Sequence, residues 1–226
     1  MAEADASGAF PIWHVRALGP DGQVAWVAVV QSARQPDGTT LSLPEPDALE
    51  AVGEHAVGYA RFTGDQVTRL EVTQDAAPKA PPLWFAQLDD PDAKPQPATS
   101  LVAFTGHGVE AGTLLDRAAL RDVAVKTDDQ LAAFRWYPGS GFGDQVYVSP
   151  QWRRRTIGTG ILAAAGTLVA AHGWTRLWGD GQRTAEGERM YRSSRWSHLS
   201  EPQTHILPPM TPDEERPTAS PEDEKA

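Results

Sequence analysis

Along most of the chain, short runs rich in β-branched and aromatic residues, some alternating with polar ones, are separated by clusters of Gly, Pro and Asp. That spacing predicts strands joined by tight turns. Residues 13–18 and 23–30 flank Gly19-Pro20-Asp21-Gly22 and are expected to form a hairpin. A second hairpin is expected from 57–62 and 67–73 around Thr63-Gly64-Asp65-Gln66. Between them, 35–46 reads as a polar loop with three prolines, and 47–52 has length for only a short helix.

From 75 to 99 the pattern fades into Pro, Ala, Asp and Lys, the composition of a linker or long excursion, interrupted only by Leu83-Trp84-Phe85, whose aromatics are expected to pack on the fold. Beyond it, 101–104 reads as a strand and 110–123 as a helix with Leu114, Leu115 and Ala118 inward. Thr127-Asp128-Asp129-Gln130 matches a capping box, whereas 134–137 reads as a strand, so two descriptions of that region stay open. Gly139-Ser140-Gly141-Phe142-Gly143 is expected to be a flexible loop. Gly-Asp-Gln-Val occurs at 64–67 and again at 143–146, each time opening a strand, but four residues are too few to claim a repeat.

The most informative pattern follows. Residues 145–148 read as a strand stopped by Pro150, and the alternation puts Gln145, Tyr147 and Ser149 on one face. Ile157, Ile161, Ala165, Leu168 and His172 recur at helical spacing, and Gly173 stands where a left-handed cap is expected. Between strand and helix lie Arg153, Arg154, Arg155 and Thr156, followed by Ile157, Gly158, Thr159 and Gly160. A strand, a basic turn and a Gly-containing helix start can hold a phosphate: the first N–H groups of a helix have no acceptor within it, its dipole is positive there, and arginine adds charge-assisted hydrogen bonds.

The run from Val148 through Pro150 and Arg153 to Gly160 and Leu162 resembles the acyl-CoA-binding motif of the GCN5-related N-acetyltransferases, in which a Val-x-Pro strand end leads into Arg/Gln-x-x-Gly-x-Gly/Ala. The resemblance implies that Val148 and Arg153 to Gly160 bind the pyrophosphate of acetyl-CoA. Of two possible frames, the one starting at Arg153 keeps strand and helix in family register and puts Thr156 in the place of the first glycine. The alternative starts at Arg155 and uses Gly158 and Gly160. Further on, Thr184, Gly187, Tyr191, Arg195 and Trp196 keep the spacing of the family's last helix motif but replace its Asn, Ala and Gly. Tyr191 then stands where the family places a general acid for the departing thiolate. A phenol of pKa about 10 can protonate a thiolate of pKa about 8.5 when held at hydrogen-bond distance. Asp144, Gln145, Tyr147 and Ser149 are candidates to line the cleft beside the acyl group, and no general base is identified.

The implied fold is of the α/β (α+β) kind: a mixed, mainly antiparallel sheet flanked by helices, with a β-rich N-terminal half. The expected organisation is a mobile arm at 1–10, a hairpin region at 11–74, the Pro-rich linker at 75–100, an acyl-CoA-binding domain at 101–208 with its motif region at 144–196, and a disordered acidic tail at 209–226. A short helix at the end of the domain is expected from Thr184 as cap with Glu186 and Glu188 in the first turn, after a buried strand at 175–178 and a turn at 179–181.

Composition narrows the partners. Eight tryptophans and 40% hydrophobic residues suffice for a core. A formal net charge of −10 argues against nucleic acid and anionic membranes as partners, and mildly favours a cationic small-molecule amine or a basic peptide as acceptor. With no cysteine and six histidines lacking metal-ligand spacing, no metal site is expected. The acidic start lacks the apolar core of a signal peptide and no run could span a bilayer, so a soluble cytoplasmic protein is expected, as monomer or homodimer. The principal expectation is an acetyl-CoA-dependent N-acyltransferase. The alternative is a catalytically degenerate module of the same fold that binds or scaffolds.

Overall fold

The computed structural model describes residues 14–30, 40–174, 177–193 and 205–208. Strands β1 (His14–Leu18) and β2 (Val24–Val30) form the first expected hairpin, and β3 (Thr40–Pro44) adds to it parallel to β1. Helix α1 (Glu45–Val52) follows, then the second hairpin, β4 (Ala56–Thr63) and β5 (Gln66–Val72). Their order in the sheet is β3-β1-β2-β4-β5. The strand β3 falls inside the stretch expected to be a loop. Leu41 and Leu43 alternate with polar neighbours there, and its proline sits at the edge strand's last position, where a missing N–H costs least.

The second sheet corrects the sequence reading more deeply. Residues expected to be a linker contain β6 (Trp84–Asp90) and the start of β7 (Ala98–Phe104), paired in full antiparallel register. Their aromatics are central: Trp84 is 0% exposed and Phe85 1%. The prolines at 91, 95 and 97 lie in the loop between the two strands. The helix expected at 110–123 shrinks to α2 (Arg117–Leu120), capped by the Asp116 carboxylate on the Ala119 amide at 2.7 Å, because β8 (Leu114–Leu115) is claimed by β6. Both open descriptions of 127–137 hold in succession. A 3-10 turn, Thr127–Asp129, is closed by Asp129 accepting from the Lys126 amide, one residue earlier than the expected box. Then come β9 (Ala132–Tyr137) and β10 (Phe142–Val148). The order is β10-β9-β7-β6-β8.

The chain thus traces one path twice. In each sheet the first two strands are a hairpin, the third runs parallel to the first at the edge, a helix intervenes, and the fourth and fifth are antiparallel and attach to the second. Both copies of Gly-Asp-Gln-Val lead into or lie within the fifth strand of their repeat, and each valine there pairs with a phenylalanine, Val67 with Phe62 and Val146 with Phe134.

Helix α3 (Ile157–His172) serves as core for both sheets. Its expected ends hold: Gly173 takes φ 65° and its amide returns to Ala170. Ile157, Ile161, Ala165 and Leu168 are at most 1% exposed and pack with Ala60 and Leu70 of the first sheet and with Phe85, Leu101, Phe134 and Trp136 of the second. His172 is exposed, so the buried face is wider than the stripe read from the sequence and ends short of it. Fully burying each large aliphatic side chain contributes about 1.5–3 kcal/mol, which favours a helix that is apolar nearly all round over the usual one-sided stripe. The other face of each sheet has its own cover. Ala48 and Val52 of α1 pack on Trp26 and Ala28, while Leu120, Val123 and Val125, in and after α2, pack on Trp84, Val102 and Phe104. The sheets meet at one seam, where the Leu70 amide donates to Gly112 O and the Gly112 amide to Leu83 O, both at 2.7 Å.

The chain falls into two compact units divided between Trp178 and Gly179, so the domain boundary expected at 100–101 does not appear as a division. The second unit contains the two-stranded parallel pair β11 (Gln182–Arg183) and β12 (His205–Ile206) with α4 (Ala185–Ser193) between them in sequence. Thr184 caps α4 as expected, its hydroxyl accepting from the Gly187 amide at 3.0 Å. The arm expected at 1–10, the tail at 209–226, and Arg195 and Trp196 lie outside the described residues. Fold class is as expected at the coarse level: α and β elements, with two mainly antiparallel sheets. No helix among the described residues is long and apolar enough to cross a membrane.

Candidate functional site: the arginine loop between β10 and α3

The loop is shaped by residues on both sides of it. Pro150 starts a 3-10 turn, Pro150–Trp152, that swings the chain away from the sheet, with the Trp152 amide returning to Ser149 O at 2.9 Å. Arg153 is half-buried and folds back, its Nε donating to Val148 O at 3.3 Å. Arg154 and Arg155 are exposed, the latter with its guanidinium 4.9 Å from the centre of the Trp152 ring. Arg154 and Thr156 adopt φ of 62° and 54°. Left-handed backbone is unfavourable for residues with a Cβ, and for a β-branched residue such as Thr156 it is a genuine outlier held by its surroundings. Two bonds hold it: the Thr156 hydroxyl donates to Arg155 O at 2.8 Å and accepts from the Lys79 amide at 3.0 Å.

Helix α3 then begins at Ile157, and the Gly160 amide makes a bond to Thr156 O at 2.9 Å. Gly158 and Gly160 are both buried. A Cβ on Gly160 would come within 3.2 Å of the Ala77 methyl, so at this position glycine serves close packing against the segment that follows β5. That segment and Lys79 could not be found from the sequence, because nothing local to residues 74–80 refers to a helix start 77 positions away.

The chain after α3 returns beside β10. The Gly143 amide donates to Trp178 O at 2.9 Å and the Trp178 amide to Gly141 O at 3.0 Å, a parallel bridge with Phe142 opposite Trp178. The strand expected at 175–178 is thus represented among the described residues by this bridge, and Trp178 is 52% exposed rather than buried. Strand, loop, helix and parallel return form a β-loop-α-β unit within the first unit.

Of the residues singled out beforehand, Val148 and Arg153, Arg154, Arg155, Thr156, Ile157, Gly158, Thr159 and Gly160 lie together along this turn. Gln145, Tyr147 and Ser149 do not make one lining. Val146 and Val148 pack on the core around α3, so Gln145 and Tyr147 project from the opposite face, whereas Ser149 is buried past the strand's end with its amide on Leu131 O. Beside Gln145, a bulge turns Asp144 toward Arg135, Nε to Oδ2 3.3 Å. Loss of solvent, and then the charge and hydrogen bond of Asp144, push the Tyr137 phenol above its ordinary value. These partners on β9 were not read from the sequence.

Tyr191 belongs to the second unit. Its ring lies under the Arg183 guanidinium, 3.8 Å from Cζ to the ring centre. Arg183 also bonds Glu188 at 3.0 Å, and Glu188 accepts from Arg192 at 2.7 Å. The bond from Arg192, with those of Arg183, holds the Glu188 carboxyl below its usual range despite some loss of solvent. Arg189 and Arg192 are ion-paired with Glu186 and Glu188. No protein-family model, curated protein or solved structure matches the chain.

Proposed function

We propose that the chain is an acyl-CoA-dependent N-acyltransferase of the GCN5-related kind, with the loop from Arg153 to Thr156 and the first turn of α3 as its pyrophosphate cradle. One observation carries the reading: Thr156, in the place of the motif's first glycine, has the left-handed backbone that glycine adopts without cost. This supports the frame starting at Arg153, and the parallel return at Trp178 supports the strand-loop-helix-strand context the motif requires. In this reading acetyl-CoA is a co-substrate. The acceptor amine attacks the thioester carbonyl, the new N–C bond replaces the C–S bond, the amine's proton leaves to water, and the departing thiolate takes a proton from water. The acceptor is a small-molecule amine or a basic peptide, and the reaction is cytoplasmic.

Calorimetry with CoA tests it. Arg154→Ala and Arg155→Ala, both exposed, should weaken CoA binding with little change in melting temperature, while Arg153→Ala should lower both, since its side chain also holds the strand end. Thiol release from acetyl-CoA offered with a panel of amines tests turnover. Absence of any CoA binding at millimolar concentration sinks the proposal. A second reading, a binding module without turnover, is favoured by the protein's own cover on the helix start, where Lys79 already bonds Thr156 and Ala77 abuts Gly160. CoA binding without thiol release from any amine would select it.

A further inference from the structure

Strand β5 ends the first sheet, and the seam pairs its outer edge for one step: Arg69 stands opposite Thr113, and the Leu70 amide donates to Gly112 O at 2.7 Å. There the other chain leaves. Gly112 takes φ 82° and gives its amide to Leu83 O, and the Arg69 guanidinium claims Ala111 O at 2.8 Å. Main-chain groups alternate in direction along a strand. The Thr73 amide donates to Val57 O of β4 at 3.0 Å, so the N–H and C=O of Val72 point away from β4, on the side of the Leu70 amide. No main-chain bond among the described residues takes them up.

They open on a cleft of about 400 Å³ at the seam. Its opposite wall is Ala80, Pro81 and Pro82. Prolines have no N–H, and Pro82 O already accepts from the Thr105 hydroxyl at 2.7 Å, so this wall can pack against an occupant without completing a ladder. Leu83 and Phe85 add apolar surface. Arg69 and Glu71 bring charge to the lining, but each is satisfied within the protein: Arg61 donates to Glu71 at 2.9 Å, and Arg69 pairs with Glu110 at 3.0 Å. Two cations and two anions thus cancel at the rim.

An unpaired strand edge facing an apolar wall is the setting for an added strand, in which main-chain bonds hold the newcomer and alternate side chains enter the wall. We propose that the seam cleft docks an extended segment of a partner protein, paired with Val72 and directing an apolar side chain toward Leu83 and Phe85. The chain's net charge of −10 adds a preference for basic residues flanking that segment. This docking goes beyond the acyltransferase reading and stands whether or not CoA binds.

The test begins with selection from a displayed library of random octapeptides on the full chain. It should enrich alternating apolar residues flanked by Lys or Arg. The best binder is then N-methylated one amide at a time. Methylation at the residue opposite Val72 should weaken binding at least about tenfold, and at either neighbour, whose N–H faces the proline wall, very little. Val72→Pro removes the cleft-facing N–H and should cause the same loss, whereas Val72→Ala keeps that N–H and should retain binding. If the proline variant fails to fold, the methylation series on the unaltered chain decides. No enriched peptide, or a series without alternation, would overturn the proposal. So would sedimentation showing the chain alone as a dimer that Val72→Pro abolishes, since the edge would then belong to a second copy.

Discussion

The two repeats follow the same path through five strands and then part. After β5 the chain runs into the Pro- and Ala-containing segment 73–83. After β10 it runs into the arginine loop and α3. These two continuations meet each other, Lys79 on Thr156 and Ala77 on Gly160, at the start of α3. Their loading differs too. The second sheet turns large aromatics toward its two cores, Phe85, Phe134 and Trp136 inward and Trp84 and Phe104 outward, whereas the first presents mainly Val, Ala and Leu. A repeated path therefore sets where elements lie, while the non-repeated continuation and the residue sizes decide what each half does.

The comparison is most exposed to test where both repeats depend on one element. Leu168 is fully buried in the core that α3 shares with both sheets, so Leu168→Ala should cost about 2–5 kcal/mol and leave one cooperative transition in urea. Two transitions, one per sheet, would show the repeats to be independent. Next in size is Gly58→Ala in β4. The added methyl would sit 2.6 Å from Thr167 Oγ1, and Thr167 is itself held by Ala163 O at 2.8 Å, so about 1–3 kcal/mol should be lost. An unchanged urea midpoint would mean that sheet and helix are less closely packed there.

Within α3 two glycines sharpen the contrast between the sides of the helix. Nothing lies within 4 Å of a methyl added at Gly166, so Gly166→Ala should stabilise by about 0.5–1 kcal/mol through helix propensity. Gly160→Ala gains the same propensity but crowds Ala77 at 3.2 Å, and should show no gain or a small loss, with CoA affinity as a second readout. Equal stabilisation by both would mean that the segment after β5 yields freely. The smallest effect concerns His172, stacked 4.3 Å from Trp174 at the helix end. Although the side chain keeps an exposed edge, loss of water from part of the ring lowers its pKa below 6.5, opposed in part by Asp89. The unfolded chain then binds the proton more readily, so the contribution is fully present above 6.5 and is lost as pH falls below it. His172→Gln should flatten the dependence of the urea midpoint on pH in that window, and an unaltered slope would assign it to other groups.

What could be read beforehand was local. The hairpins 13–18/23–30 and 57–62/67–73 and the helix 157–172 carry their own punctuation, a tight turn or a terminal glycine, and they appear within a residue or two. The hairpin of β6 and β7 was hidden because its connecting prolines dominate the window and make two short strands look like one linker. The stretch 110–123 looked helical because Leu114, Leu115 and Ala118 have helical spacing, yet Gly112 at φ 82° and the seam bonds take that chain into sheet pairing. At the candidate site the order strand, arginine turn, helix was legible, whereas the face of Gln145 and Tyr147 relative to α3 was not, because alternation orders side chains without saying which side is buried.

The sequence by itself determined the elements whose signals lie within a few residues: turn glycines, the apolar run of α3, and the caps at Thr184 and Gly173. Only the tertiary structure decided that the path is traced twice, that one helix serves two sheets, and that Thr156 is held left-handed by a main-chain amide 77 residues earlier. The physical reason is range. Propensity and capping act between neighbours along the chain, while burial and main-chain pairing compare every surface with every other, and the latter prevails wherever a short segment such as 110–115 can satisfy either.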